Sequence, residues 1–425
     1  MSAPLLSYAE AAEQVQLYLE AMARETATAP VQGAEVLPLA AAVGRVLAEP
    51  IYADRDQPPF PRSTRDGYAC RAVEANTHEL LFVAQQIRAG QAAARPLALG
   101  EACEIMTGAP VPESADAVFM VEHAEQESGH KSGQDSGFVR LTAPRILTPG
   151  ENIVPQGSEA RGGNLLLVIG TRLGPAQIAL AAQCGYARLT VARRPRVVIL
   201  TTGDEVVPVE ALPEPSQIRN SNAPMLAALV EAAGAEPVLF TAADNAAVLD
   251  AVLQEGLSHS LAADLLLVSG GISAGRFDLV ADALSRRGAR FFFAGVAIQP
   301  GKPVAFGQTP AEGRPVPFLA LPGNPISSAV TFSLFAAPLV AALGDDTGPK
   351  PHFAMARLAE AWRGKPGLTR FLPAACDFGP DPAVRVLPWQ GSGDLAAFAR
   401  SNCFLVTAPE TGDLPAGTIV QILLP

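Results

Sequence analysis

Three short stretches of this 425-residue chain combine glycines with hydroxyls or acids in a way that could hold an anion: TTGDE (Thr201 to Glu205), SGGISAG (Ser269 to Gly275) and LPGNPISS (Leu321 to Ser328). Glycines let backbone N–H groups approach a negatively charged group closely, so Ser269, Gly270, Gly271 and Ser273 are candidate ligand contacts. The loop is neither a Walker A motif nor a GxGxxG fingerprint, and a tight strand-to-helix turn would have the same composition. In LPGNPISS, Pro322, Gly323, Asn324 and Pro325 form a stiff bend that opens a helix, which suits an anion seat. Read more simply, Asn324 caps that helix and Ser327 and Ser328 are first-turn hydroxyls. Three acids, Glu205, Asp244 and Asp278, sit at strand ends or helix starts of the same region. Carboxylates gathered at an anion site repel unless a hard cation offsets them, which makes Mg²⁺ the natural companion. Aspartate is also a preferred helix cap, an explanation open to Asp244 and Asp278 but not to Glu205. QPGKP (Gln299 to Pro303) holds Lys302 between prolines as a point charge for an oxyanion, or forms a plain turn. Upstream, Asp66 in DGYA and Thr107 in MTGAPVP are candidate polar groups that could equally be local turn residues. Asp66 follows the proline-stiffened QPPFPRSTR.

Positioning these residues needs particular elements. VVIL (197–200), LLLV (265–268) and FLAL (318–321) are wholly apolar, as parallel strands covered on both faces are. Helices fit between them, one opened by Asn222 and closed near Gly234, one opened by Asp244, and one opened by Asp278 and stopped near Gly288. In open sheets of this kind ligands lie beyond the carboxyl ends of the strands, so the three loops should face one crevice. Residues 7–24 read as an amphipathic surface helix. Between about residues 80 and 149, apolar runs such as LLFVA, AVFMV and FVRLTA alternate with turns. After residue 346, MARLAEAW, AVRVLP, CFLVTA and TIVQILL form a closing β region. The expectation is a multi-domain α/β and β fold: a central α/β domain with a mostly parallel sheet (193–345), a β-rich inserted domain (56–147) and a C-terminal β-domain (346–425). A discontinuous N-terminal domain comprises 1–55 and 148–192.

Composition narrows the function. A net charge of −11 with no basic stripe disfavours nucleic acid as a partner. No uncharged apolar run is read as reaching the roughly 18 to 20 residues a membrane span needs, and MSAPLLSYAEAAEQV has no export signal, so a cytoplasmic protein is expected. Five scattered cysteines form no CxxC or Cys/His cluster, which argues against disulfides and zinc.

Taken in order, PPFPRSTRDGYA, IMTGAPVPESADAV, GENIVPQGSE, RRPRVVILTTGDEV, QIRNSN, SGGISAGRFD, QPGKP, FLALPGNPISS and WQGSG closely resemble the MoeA family, the molybdopterin molybdenumtransferases, over nearly the whole chain. The resemblance implies a molybdopterin-binding α/β domain. It also implies that molybdate is inserted into adenylylated molybdopterin with release of AMP, assisted by Mg²⁺, in a homodimer. Possible further partners are molybdopterin adenylyltransferase and molybdoenzyme maturation proteins. Positions that match family functional residues are Asp66, Thr107, Glu205, Asp244, Asp278, Pro300 and Pro303. The metal would fall to Glu205, Asp244 and Asp278.

The chain departs from the family pattern in three places. The family's Gly-Glu-Asp block reads GSE, placing the longer Glu159 at the acidic position. Lys-Pro-Gly-Lys-Pro reads QPGKP, so one cationic contact to molybdate is either absent or supplied by another residue. Gly-Arg-x-x-Phe reads GLTRF, which moves the nearby arginine to Arg370; with Ser392 in QGSG it is an oxyanion contact candidate. Two other functions stay open on the residues: a molybdopterin-binding or scaffold protein without transferase activity, flagged by Gln299 and Glu159, and an unrelated phosphate-handling enzyme on the same scaffold. Asp66 is expected to serve the α/β crevice across a domain or dimer boundary.

Overall fold

The strands Arg196–Thr202, Leu265–Ser269 and Val316–Leu321 form where the sequence runs VVIL, LLLV and FLAL, and only Arg196 among their residues escapes full burial. The computed structural model describes residues 5–26, 33–131, 134–271, 279–312, 314–346 and 350–424. It divides into two units, the first Met1–Glu49, Ile169–Pro175 and Arg188–Pro425, the second Pro50–Val168 and Ala176–Ala187.

In the first unit Glu236–Ala242 joins those three strands in parallel, and the antiparallel Ala305–Thr309 and Arg290–Ala294 complete a six-stranded sheet. Alternate residues feed two cores. Val197, Ile199, Leu265, Leu267 and Leu319 meet Leu226 and Val230 of helix Asn222–Ala232 together with Phe335 and Leu339. Val198, Leu200, Leu266, Val268 and Phe318 meet Leu249, Leu253, Val280 and Leu284 of helices Ala246–Gly256 and Leu279–Arg286. Double coverage explains why these strands lack a polar face. The N-terminal helix Tyr8–Thr26 adds Ala11 and Val15 to the first core, with Tyr8 edge-on to Phe371 at 5.7 Å.

One expectation is corrected. The helix Pro325–Leu343 has 19 residues and a mean hydropathy of 1.9, long and apolar enough to cross a membrane by length and composition. The sequence reading passed over it because the uncharged stretch is broken by Pro, Gly, Asn and Ser. It is 78% buried inside the protein, where it serves as the core helix behind the sheet. Its middle, Phe332–Ala336, widens to a π turn just before Pro338, which has no N–H to continue the ladder.

Five strands of the C-terminal region and the upstream Ile298–Gln299 run in the order Ile298–Gln299, Thr369–Asp377, Ala383–Val386, Phe353–Leu358, Ile419–Leu423 and Cys403–Thr407. Pairing of Cys403–Thr407 back onto Thr369–Asp377 closes the barrel. Thr369–Asp377 escaped the sequence reading because Arg370 and Pro373 interrupt its apolar run.

The second unit is built on a six-stranded sheet ordered Ala117–Met120, Gly67–Cys70, Glu101–Ile105, Leu81–Ile87, Gln134–Leu141 and Ala124–Lys131. Two short ladders accompany it, Arg62–Ser63 with Ile153–Val154 and Ile51–Tyr52 with Leu165–Leu167. All five cysteines of the chain are buried free thiols, and burial pushes Cys70, Cys103 and Cys403 up to about 12.

Phe335 has no solvent exposure and packs 5.7 Å from Phe293, centroid to centroid. Phe335→Ala is expected to lower stability by about 3 to 5 kcal/mol, read as a fall in the urea midpoint at unchanged m-value; a loss under about 1 kcal/mol would show that this core repacks freely.

Candidate active site

Polar contacts gather in two groups at the carboxyl ends of the parallel strands. Thr202 Oγ1 donates a short hydrogen bond to Asp244 Oδ1, and the Asp244 N–H donates to Asp204 Oδ1 at 3.0 Å. Gly270 follows Ser269 with φ +97°, and a Cβ there would stand 2.4 Å from the Thr202 carbonyl oxygen. Glycine is therefore required at this position by strand-to-strand closeness, whatever ligand the loop holds. The Gly270 N–H donates to Leu321 O at 3.4 Å, tying the loop to the next strand end. Asn222 Nδ2 donates to Ser269 Oγ at 2.9 Å and to Gly323 O at 2.6 Å. From there Asn324 Nδ2 donates to Ser392 Oγ at 2.9 Å, and the Ile326 N–H donates to Ser392 O at 3.0 Å.

Two of the simpler readings fail here, and both failures release a side chain. The helix expected to open at Asp244 begins at Ala246, and its cap is Asn245, whose Oδ1 accepts from the N–H groups of Ala247 and Val248. Asp244 is exposed and held by Thr202 instead. Asn324 stands at the cap position of the next helix but makes no side-chain bond to it; its amide reaches Ser392. Ser328 Oγ, fully buried, closes the Pro322 turn by donating to Pro322 O.

Asp204 and Asn222 are the residues that the sequence reading undervalued. Asp204 lies beside Glu205 in TTGDE, and only the fold shows which of the two acids contacts Asp244. Asn222 looked like a helix opener, yet its Oδ1 is buried without a hydrogen-bond partner among the described residues. An unmade bond of that kind costs about 1 to 3 kcal/mol unless a ligand supplies the donor. Asp204, Glu205 and Asp244 offer the hard oxygens that Mg²⁺ takes, but among the described residues no group of three or more His, Cys, Asp or Glu could hold a metal ion. A cation here would need substrate oxygens to complete its shell, the usual arrangement for Mg²⁺. Asp278 and Ser273 lie outside the described residues.

The QPGKP turn is held by hydrogen bonds from the Val296 N–H to Lys302 O at 2.9 Å and from the Gly295 N–H to Val304 O at 2.8 Å. Pro300 is buried, Pro303 is half-buried and Lys302 is exposed. Gln299 pairs in register with Arg370, so the uncharged position lies across the ladder from a cation. Arg370 is only 6% exposed, and its one side-chain hydrogen bond among the described residues runs from Nε to Lys365 O at 2.8 Å. No carboxylate pairs with it there. Arg370 and Lys302 stand outside the hydrogen-bonded network at the strand ends.

The second unit brings Asp66 and Thr107 together and places Glu159 with Arg62. Asp66 Oδ1 accepts from the Thr107 N–H at 2.6 Å and from Thr107 Oγ1 at 2.7 Å. The backbone bond first, then the hydroxyl, hold the exposed Asp66 carboxyl below the usual aspartate value. The latch on Asp66 is thus Thr107, while Pro58 and Pro59 line a cavity of about 330 Å³ with Phe60, Arg62, Gly108, Glu159 and Gln183. Arg62 Nη2 donates to Glu159 Oε1 at 2.9 Å, and Arg62 Nε is buried with no partner among the described residues.

Comparison with known proteins gives one consistent result. Residues 6–185 match the model of the MoeA N-terminal region (domain I and II), residues 198–342 that of a probable molybdopterin binding domain, and residues 355–424 that of the MoeA C-terminal region (domain IV). The chain is 35% identical over 398 residues to molybdopterin molybdenumtransferase 2 of Mycobacterium tuberculosis, covering 91% of this chain and 94% of that one. It is 33% identical over 387 residues to molybdopterin molybdenumtransferase of Bacillus subtilis, covering 89% and 87%. Among solved structures it is similar to the molybdopterin biosynthesis moeA protein of Pyrococcus horikoshii, with a TM-score of 0.78 and 27% identity over 99% of this chain and 100% of that one.

Because its hydrogen bonds favour the ionised form, Asp66 should titrate below 3.8, the ordinary value. The latch is then complete above that ordinary value and is lost as pH falls through the lowered one. Carboxyl NMR titration of Thr107→Ala, which keeps the backbone bond, is expected to show a rise part of the way to the ordinary value. An unchanged titration would remove the hydroxyl from the latch.

Proposed function

This chain belongs to the MoeA family of molybdopterin molybdenumtransferases, and from that membership we propose how its own residues carry out molybdenum insertion in the synthesis of the molybdenum cofactor. The substrate is adenylylated molybdopterin, molybdate enters its dithiolene, and AMP is released. The observation that carries this reading is the buried Arg370, a cation with no carboxylate partner among the described residues. A largely buried guanidinium without an ion-pair partner suits an oxyanion, which would supply the missing counter-charge. A non-catalytic scaffold is not favoured, since the relatives carry transferase names.

In this mechanism the Ser269–Gly271 backbone and the turn Pro322, Gly323, Asn324 and Pro325 receive the phosphates, with the Asn324 amide fixed by Ser392. Asn222 Oδ1 accepts a hydrogen bond from the bound substrate. Glu205 and Asp244, together with Asp278, would hold Mg²⁺, which when bound neutralises charge on the phosphoanhydride. Asp204 supports that set through the Asp244 backbone. Arg370, Lys302 and Ser392 locate molybdate on the stiff Pro300–Pro303 turn, Arg370 serving where Gln299 brings no charge. Asp66, Thr107 and Glu159 supply further polar groups to the transfer. The acting species is a cytoplasmic homodimer, which receives its substrate from molybdopterin adenylyltransferase and passes its product to molybdoenzyme maturation proteins.

Mixing the purified protein with adenylylated molybdopterin, Mg²⁺ and molybdate should release AMP in step with cofactor formation. Tight binding with no AMP would overturn the transferase reading. Arg370→Met is expected to raise the molybdate requirement roughly ten- to hundredfold, the worth of one or two charge-assisted hydrogen bonds, while substrate binding in the absence of molybdate changes little. Asp66→Asn should leave circular dichroism and the thermal midpoint unchanged and cut the rate of transfer; full activity would take Asp66 out of the site.

A further inference from the structure

Glu159 reaches its place in the second unit by an unusual division of labour. Its backbone is anchored next to Gln57: the Glu159 N–H donates to Gln57 O at 2.9 Å, and the Gln57 N–H donates to Ala160 O at 2.7 Å. Its side chain, however, has three torsions and is exposed. Left alone, such a carboxylate would sample many rotamers over the cavity that it lines. Among the described residues one side-chain hydrogen bond limits it, from Arg62 Nη2 to Oε1 at 2.9 Å.

The arginine end of this contact is well fixed. Arg62 pairs with Val154 on one side and bridges to Pro110 on the other. Neighbouring backbone bonds run from the Ser63 N–H to Ala109 O at 3.0 Å and from the Val111 N–H to Pro61 O at 2.8 Å. The guanidinium therefore projects from a segment held on both edges. Stability gives little reason for the pair, because its side chains are 42% and 48% exposed and exposed ion pairs contribute little to folding. Its effect is geometric: Arg62 engages Oε1 of Glu159, and Oε2 has no hydrogen bond among the described residues.

We propose that Arg62 is a positioning residue for transfer, acting through Glu159, and that the longer acid at this position depends on the arginine to hold its carboxylate in a working orientation. The proposal rests on the reading that Glu159 belongs to the transfer site. Four forms of the full-length protein test it by AMP release from adenylylated molybdopterin with Mg²⁺ and molybdate: Glu159→Gln, Arg62→Met, Arg62→Lys and the double variant Arg62→Met with Glu159→Gln. Arg62→Met and Glu159→Gln should each lower kcat/KM by on the order of tenfold, the size coupled neighbours commonly show, and the double variant should fall no further than the worse single one. Arg62→Lys should recover part of the loss, since it restores the charge without the planar fork. Thermal midpoints of all four should stay near that of the parent. Full activity of Glu159→Gln would defeat the site reading itself. A normal Arg62→Met beside an impaired Glu159→Gln would defeat the positioning role alone. A double variant whose loss is the product of the two single losses would show that Arg62 acts independently of Glu159, and would overturn the proposal as well.

Discussion

The parallel register of Glu236–Ala242, Arg196–Thr202, Leu265–Ser269 and Val316–Leu321 is the constraint on which the α/β unit depends. Parallel strands all finish at one edge, so the turns that follow them collect there. Three of these strands, Arg196–Thr202, Leu265–Ser269 and Val316–Leu321, are also buried on both faces, which leaves their ends as the place where polar side chains can gather without disturbing the core. Close packing of adjacent ends, with the Thr202 carbonyl where a Gly270 side chain would otherwise stand, makes neighbouring turns share contacts. Thr202, Asp244 and Asp204 form one hydrogen-bonded group there, and Ser269, Asn222, Gly323, Asn324 and Ser392 form another.

Within this unit, pairing separates structural groups from functional ones. Asp264 is 3% exposed and fully employed, bound to Arg193 Nη2 at 3.0 Å, the Arg196 N–H at 2.7 Å and Arg314. Such a carboxylate tells of folding. The Asn222 side-chain carbonyl is buried without a partner among the described residues, and Arg370, 6% exposed, has no ion pair among them. A fold rarely leaves buried polar atoms unpaired, which is why the proposed mechanism gives Asn222 and Arg370 to the ligand.

Much of the α/β architecture was legible, because double burial writes itself as uninterrupted apolar strands and glycine-rich ends. The same cues misled where one residue type serves several ends. Asp244 reads as a helix cap by composition, yet Asn245, one position later, takes that duty. The prolines and serines of the apolar Pro325–Leu343 helix break its run in the sequence, although its burial makes it the backbone of the core. In QPPFPRSTRDGYA the prolines suggest a rigid mount for Asp66, but the mount is Thr107, forty-one positions away, and Pro58 and Pro59 line a cavity. The opposition of Gln299 and Arg370 was equally hidden, since it depends on a register between strands far apart in the chain. Contacts of this range are set by topology, on which local pattern is silent.

The central claim is that molybdate completes the charge the fold leaves unpaired at Arg370. Diffraction from crystals grown with AMP, Mg²⁺ and molybdate, recorded at the molybdenum absorption edge, locates the metal directly. The account predicts an anomalous peak whose oxygens lie within about 4 Å of the Arg370 guanidinium, the range of an ion pair. A fully occupied peak elsewhere, with Arg370 still lacking an anionic partner, would contradict it.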